Sequence, residues 1–234
     1  MANQGLSFFS TTCRALIIGS SGAIGSALVK HLSNIIGADR VVGVSRIGDG
    51  LELLKPASIE AISNELDGNF RLIIDATGAL EYDGIGPEKT LHAIDYDNMV
   101  NQFKVNAIGP ALVLKNFEKF FPRTGKTVFA SLSARVGSIG DNRLGGWISY
   151  RSSKAALNQI IKTASIELSR KYPECICVAI HPGTVKSKLT EKYIYRHDHV
   201  LPEEAASNII SVLNSLDCKD TGGFYDYAGR VIVW

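Results

Sequence analysis

The sequence predicts an α/β fold: a doubly wound parallel sheet with helices on both faces, a three-layer α/β/α sandwich. Three observations carry this. Short apolar runs recur along the chain, each closed by glycine or a polar turn, as buried parallel strands are. Between them stand segments of good helix formers with apolar residues three and four apart. The first run passes through a glycine-rich turn straight into such a helical segment. Repeated alternation of this kind builds a parallel sheet. No boundary, repeat or low-complexity tract interrupts it, so residues 1–234 are expected as one domain.

Residues 1–13 read as a short N-terminal extension without the basic start and long apolar stretch of a signal peptide. Arg14-Ala15-Leu16-Ile17-Ile18 is the first strand. The turn Gly19-Ser20-Ser21-Gly22-Ala23-Ile24-Gly25 leads into a helix from Ser26. Glycines let the backbone turn tightly and approach a pyrophosphate, while a helix start offers unpaired N–H groups and a positive dipole end. Gly19, Ser21, Gly22, Ala23, Ile24 and Gly25 are therefore candidate phosphate-site residues. Val41-Val42-Gly43-Val44-Ser45 is the second strand, with Arg46 just beyond. In nicotinamide-binding folds an acid near this strand end bonds the adenosine ribose, and an arginine accommodates a 2′-phosphate instead. The tip carries no acid, Arg46 follows directly and Ser45 can add a hydroxyl donor, so NADP(H) is preferred, with NAD(H) still open.

Leu51-Glu52-Leu53-Leu54 is a candidate third strand, and Ser58 a candidate N-cap of the helix that follows. Leu72-Ile73-Ile74-Asp75-Ala76 is the fourth strand and ends at Thr77-Gly78, on the edge where ligands of such sheets bind. Residues 96–120 read as one long helix, bent at Pro110, with an interior Asn106 that needs a bonding partner. Thr127-Val128-Phe129-Ala130-Ser131-Leu132 is the fifth strand, with Ser133 at its end. A glycine-rich connection, residues 137–146, leads to Trp147 and the next helix. Ile176-Cys177-Val178-Ala179-Ile180 is the sixth strand, ended by His181-Pro182-Gly183-Thr184-Val185. A helix over residues 203–216 and a last strand or hairpin from Phe224-Tyr225-Asp226 and Val231-Ile232-Val233 complete a sheet of the Rossmann type.

Tyr150-Arg151-Ser152-Ser153-Lys154 opens an Ala-rich helix. Residues four apart share a helix face, so the Tyr150 phenol and the Lys154 ammonium point the same way. A free tyrosine titrates near ~10. A neighbouring cation favours the phenolate and lowers that value, which suits the pair to general acid–base chemistry.

Composition bounds the partners. Hydrophobic residues make up 45% and charged residues 21% of the chain, enough for a full core. A net charge of +2 is too near neutral for nucleic acid to be an expected partner. No apolar run is long enough for a membrane span. The cysteines, Cys13, Cys175, Cys177 and Cys218, show no paired metal spacing, and buried free thiols in a reducing cytoplasm are expected. Cys175 and Cys177 are expected to face opposite sides of their strand.

In this order the glycine turn, Asn106, Ser133, Tyr150-x-x-x-Lys154 and Pro182-Gly183 resemble the short-chain dehydrogenase/reductase family, from Arg14 to Trp234. Ala76-Thr77-Gly78, Val105-Asn106-Ala107-Ile108-Gly109-Pro110, Ser133-Ala134-Arg135-Val136-Gly137-Ser138 and Gly145-Gly146-Trp147 look most like the C-signal type of short reductase. The resemblance implies that Tyr150 protonates a carbonyl oxygen during reduction and takes a proton in the reverse direction. It implies that Lys154 bonds the nicotinamide ribose and lowers the tyrosine pKa, that Ser133 binds the substrate oxygen, and that Asn106 holds a water on a proton relay. Pro182, Gly183 and Val185 would line the nicotinamide pocket, with Val185 N–H on the carboxamide. Glu52, Leu53, Ala76, Thr77, Gly78 and Ser187 complete the expected cofactor contacts. Residues 187–200 would form a substrate lid, with Tyr193, Tyr195, Phe224, Tyr225 and Tyr227 as candidate mouth residues, and His181 would pack beside the cofactor loop without acting as a base. The departures are the glycine spacing, Asp75 where many members carry asparagine, and a longer Ser133–Tyr150 spacing. Ser133 is preferred to Ser131, which shares its side of the strand about 7 Å deeper, and to Ser138.

The expected function is NADP(H)-dependent oxidoreduction of a small carbonyl or alcohol by a cytoplasmic homodimer or homotetramer without a metal. The alternatives are a C-signal-type NAD(P)-binding signalling protein with little turnover, and a nucleotide-sugar epimerase, for whose added substrate domain the chain is too short.

Overall fold

In the computed structural model, which describes residues 13–188, 190–192 and 198–234, the apolar runs become six strands. They are β1 (Ala15–Ile18), β2 (Val41–Val44), β3 (Leu72–Asp75), β4 (Thr127–Leu132), β5 (Cys175–His181) and β6 (Phe224–Asp226). Every ladder is parallel, and the order across the sheet is β2-β1-β3-β4-β5-β6. The chain runs from β1 to β2 on one side and then to β3 on the other. The strand order therefore reverses beside β1, and the C-terminal ends of β1 and β3 open the crevice where such sheets bind ligands.

The helices are α1 (Ala23–Ile36), α2 (Arg46–Asp49), α3 (Pro56–Glu65), α4 (Tyr96–Phe103), α5 (Gly109–Phe117), α6 (Ile148–Lys171) and α7 (Pro202–Ser215). Leu28 and Leu32 of α1 and Ile209, Ile210 and Leu213 of α7 pack with Ile17, Ile74, Ala130 and Val178 on one face. Ile59, Val113, Phe117, Leu157 and Ile161 from α3, α5 and α6 pack with Leu16, Ile73, Phe129 and Cys177 on the other. Successive strand residues thus feed opposite layers, and burying both faces is what sets the three-layer architecture.

Several expectations change. Residues 51–54 form a turn, not a strand. Leu51 N–H donates to Ser45 O, Lys55 N–H to Glu52 O, and the Ser58 hydroxyl takes up both Glu52 N–H and Glu52 O. With its polar groups satisfied locally, this backbone has little left to offer a ladder. Ser58 consequently holds the Glu52 loop, and Lys55 occupies the N-cap of α3. The helical path over residues 96–120 is broken by a π turn, Lys104–Ile108, in which Gly109 N–H donates to Lys104 O, and it closes in a 3-10 turn. Cys175 and Cys177 share one face, as the two-residue pleat requires. Cys13 is fully buried in the core and so belongs to the fold, not to an extension, whereas Cys218 is exposed. The last strand is short, and the return of the hairpin is limited to Val231 opposite Tyr225, with Ile232 N–H donating to Phe224 O and Asp226 N–H to Arg230 O. No described helix is long and apolar enough to cross a membrane.

Candidate active site

The β1 turn is built for close approach. Gly19 takes φ 86° and abuts the end of β3: a Cβ there would stand 3.0 Å from Ala76 C and 3.2 Å from Thr77 Cγ2. A Cβ on Gly25 would meet Gly19 O at 2.1 Å, so only glycine lets α1 seat against the turn. The N-cap Gly22 brings no side chain to the start of α1. The first-turn N–H groups beside exposed Ser21 and Gly22 are left as donors for an anion. Thr77 turns both its N–H and its hydroxyl onto Asp75 Oδ1, at 3.1 and 2.5 Å, in place of facing the crevice.

At the tip of β2, Ser45 is buried and committed to its own turn. Its hydroxyl accepts from Gly48 N–H, and its N–H donates to Asp49 Oδ2 at 2.7 Å. Residue spacing concealed this carboxylate, so the tip does carry an acid. It is held by the Ser45 backbone, while Arg46 stands exposed beside it. Glu52 and Leu53 lie in the turn described above, with Leu53 packed on Gly109.

Asn106 is fully buried at the π turn. Its Oδ1 accepts from Ala79 N–H at 2.9 Å, and its Nδ2 donates to Ala79 O and Gln102 Oε1 at 2.8 and 2.7 Å. A Cβ built on Gly78 would lie 3.1 Å from Asn106 Oδ1 and 3.2 Å from Lys154 Nζ, so the two side chains meet over Gly78. Lys154 is buried and donates to Leu132 O at 2.9 Å. Burial brings its pKa down to about 8, against the pull of Asp75. Tyr150 moves the other way from the expectation: burial pushes its phenol up to about 12. The cause is desolvation, which disfavours the charged phenolate. Burial also raises the pKa of Asp75, whose three hydrogen bonds from Thr77 and Ser131 oppose the rise.

The serines at the end of β4 separate clearly. Ser131 Oγ donates to Asp75 Oδ2 at 2.8 Å and Ser138 Oγ to Val233 O at 2.5 Å. Ser133 Oγ donates to Asn158 Oδ1 at 2.6 Å, one helical turn beyond Lys154. His181 ends β5, and burial, with Arg135 nearby, takes its pKa down to about 4, which makes it a poor base near neutrality. Gly183 lies against the Tyr227 ring. Val185 pairs with Val200, tying together the two ends of the expected lid, and Ser187 bonds Thr190. Leu189 and residues 193–197, with Tyr193, Tyr195 and His197, lie outside the described residues. Phe224 is buried in the core with its ring stacked on the exposed Trp234, and Tyr225 donates to Asp220 O, so neither is placed as a mouth residue.

One group escaped the sequence reading. Glu88 is buried, and its carboxylate accepts from Ser149 N–H at 3.2 Å, from the Ser149 hydroxyl, and from Asn98 Nδ2 at 3.4 Å. Glu88 O accepts from Trp147 N–H. Gly145, Gly146 and Trp147 form a run of left-handed residues, φ 63°, 65° and 53°, and Trp147 gives α6 no side-chain cap. Glu88 supplies that cap from 61 residues away in the chain, and Tyr150 sits in the first turn it anchors. Only a glycine pair ahead of an uncapped helix hinted at it.

Residues 55–214 match the family model described as enoyl-(acyl carrier protein) reductase. The 1-hydroxy-2-glutathionyl-2-methyl-3-butene dehydrogenase of Rhodococcus sp. is 26% identical over 232 residues, covering 94% of this chain and 98% of that protein. The C-signal protein of Myxococcus xanthus is 31% identical over 143 residues, 60% of this chain and 81% of that one. The carbonyl reductase of chicken fatty liver, solved with NADPH bound, superposes with a TM-score of 0.81 at 25% identity, covering 96% of each chain.

Proposed function

The chain belongs to the short-chain dehydrogenase/reductase family, and from that premise we propose that it is an NADP(H)-dependent reductase of a small carbonyl compound, with Tyr150 as the proton donor. The observation that carries this reading is the convergence of Asn106 and Lys154 over Gly78, one helical turn from Tyr150. The bare start of α1 and the close glycine turn fit a dinucleotide pyrophosphate. Gly19, Ser21, Gly22, Ala23, Ile24 and Gly25 would hold it. Arg46 would receive the 2′-phosphate, and Pro182, Gly183 and the Val185 N–H the nicotinamide end. When bound, that cofactor supplies the hydride.

The protein's own part is to orient the carbonyl and to move a proton. Ser133 binds the carbonyl oxygen. Tyr150 Oη gives it a proton as negative charge develops, and takes one back in the oxidative direction. A phenol held at about 12 stays protonated at neutral pH, which suits a donor. The Lys154 ammonium, close to its titration point, stabilises the phenolate left behind. Asn106, tied to Ala79 and Gln102, holds the relay side of Lys154 in place. We place the protein in the cytoplasm, as a homo-oligomer.

The test is a Tyr150→Phe variant assayed on a quinone or aldehyde that the parent turns over. General acid–base groups contribute about 10²–10⁴-fold, and a loss of that size in kcat is expected with NADPH affinity unchanged. Lys154→Met should lower both affinity and rate. Parent-level turnover by Tyr150→Phe would show the assignment to be wrong and favour a signalling role.

A further inference from the structure

A serine has one hydroxyl proton to give, and Ser133 gives its proton to Asn158 Oδ1 at 2.6 Å. Both side chains are buried, Ser133 at 4% and Asn158 at 3% exposure. The peptide just before Ser133 is held by the Lys154 ammonium through Leu132 O, so this pair lies against the candidate site. Ser131 and Ser138 are committed elsewhere, to Asp75 and to Val233 O. Asn158 Nδ2, by contrast, is buried without a partner. An unsatisfied buried donor is costly and rare enough to need a reason.

The two ends of an amide have nearly the same shape and opposite hydrogen-bonding character. With Oδ1 toward Ser133, Asn158 accepts the hydroxyl proton, and Ser133 has none left for a substrate oxygen. A half-turn brings Nδ2 into that place. Nδ2 then donates to Ser133 Oγ, the orphan donor is satisfied, and the hydroxyl proton is released. Oδ1 takes the vacated position, and an unpaired carbonyl is better tolerated in a core than an unpaired N–H. We propose that Asn158 is the positioning residue that sets the direction of the Ser133 proton. With its oxygen inward it holds the hydroxyl away from substrate; with its nitrogen inward it turns the hydroxyl into a donor to the carbonyl oxygen. The inference rests on Ser133 binding that oxygen, as proposed above.

Two near-isosteric variants separate direction from packing. Asn158→Asp keeps the shape and the acceptor and removes the amide donor. Asn158→Leu removes the competing acceptor at similar volume. Both are compared with the parent and Ser133→Ala for kcat and KM on the same quinone or aldehyde, for NADPH affinity by fluorescence titration, and for folding by circular dichroism. Loss of a preorganised donor to a developing oxyanion costs about 10²–10³-fold, so Ser133→Ala should lose about 100-fold in kcat, Asn158→Asp at least about 10-fold, and Asn158→Leu no more than about threefold. Substrate KM and NADPH affinity should hardly move, because the interaction is made mainly in the transition state. Parent-like kcat in Asn158→Asp beside an impaired Ser133→Ala overturns the proposal while leaving the reading of Ser133 intact. An equal or greater loss in a folded Asn158→Leu also overturns it, since packing would then explain the effect. If Ser133→Ala itself keeps the parent kcat, the reading of Ser133 falls and the proposal falls with it.

Discussion

Two residues decide how the site responds to pH and to the choice of cofactor. Burial holds the Lys154 ammonium at about 8, below a free lysine, with Asp75 pulling it back up. Because the unfolded chain keeps that proton longer, stability should rise as pH climbs from about 8 towards the free-lysine value. The reaction needs the charged form, and kcat/KM reports the free enzyme. In the reductive direction kcat/KM should therefore fall as pH rises through about 8; a profile flat well beyond that value would remove Lys154 from the mechanism. His181, held at about 4 by burial, should add no limb near neutrality. Arg46 is exposed at the β2 tip beside a carboxylate, Asp49, that is already bonded to Ser45 N–H. Arg46→Ala should narrow the gap between NADPH and NADH affinities in parallel titrations. Equal affinities in the parent would refute the preference itself.

The element that matters most is α6, and its first turn depends on a residue outside it. Glu88 caps Ser149, bonds Asn98 of α4 and, through its carbonyl, holds Trp147 in the left-handed region. Truncation to alanine leaves those buried donors unpaired, at a cost of about 1–3 kcal/mol. Glu88→Gln keeps an acceptor for Ser149 N–H and gives up the charge at the helix start, worth about 0.3–1 kcal/mol. Chemical denaturation should rank parent, Glu88→Gln and Glu88→Ala in falling stability. If Glu88→Ala matches the parent, the cap is not holding the helix. The π turn plays a comparable part at the facing wall. Its wider turn carries Asn106 into the core, where the side chain can bridge Ala79 and Gln102.

For the whole molecule, α4, the π turn that follows it and α6 leave apolar side chains at the surface. Tyr96 is 78%, Ile108 50% and Ile166 50% exposed. Pairing about a two-fold axis, the commonest form of self-association, would bury this surface. Light scattering at micromolar concentration should give a dimer or tetramer. A monomer throughout would refute it.

Sequence alone determined the doubly wound sheet, the glycine turn and the Tyr150–Lys154 pair. Each is written in neighbouring residues: apolar runs such as Ala15-Leu16-Ile17-Ile18, a glycine every third position, a four-residue helical spacing. The tertiary structure decided what depends on groups far apart in the chain or on backbone satisfied locally. Residues 51–54 left the sheet because Ser45 and Ser58 took up their polar groups. Asp49 returned to the β2 tip through a short helix that residue spacing did not reveal. The tyrosine pKa went up, not down, because desolvation of the phenol is a property of the packed site and not of the four-residue spacing. Glu88 reached α6, and Asn158 reached Ser133, across 61 and 25 residues of chain. Contacts at that separation leave no local pattern in a sequence; only the packing of the layers brings them together.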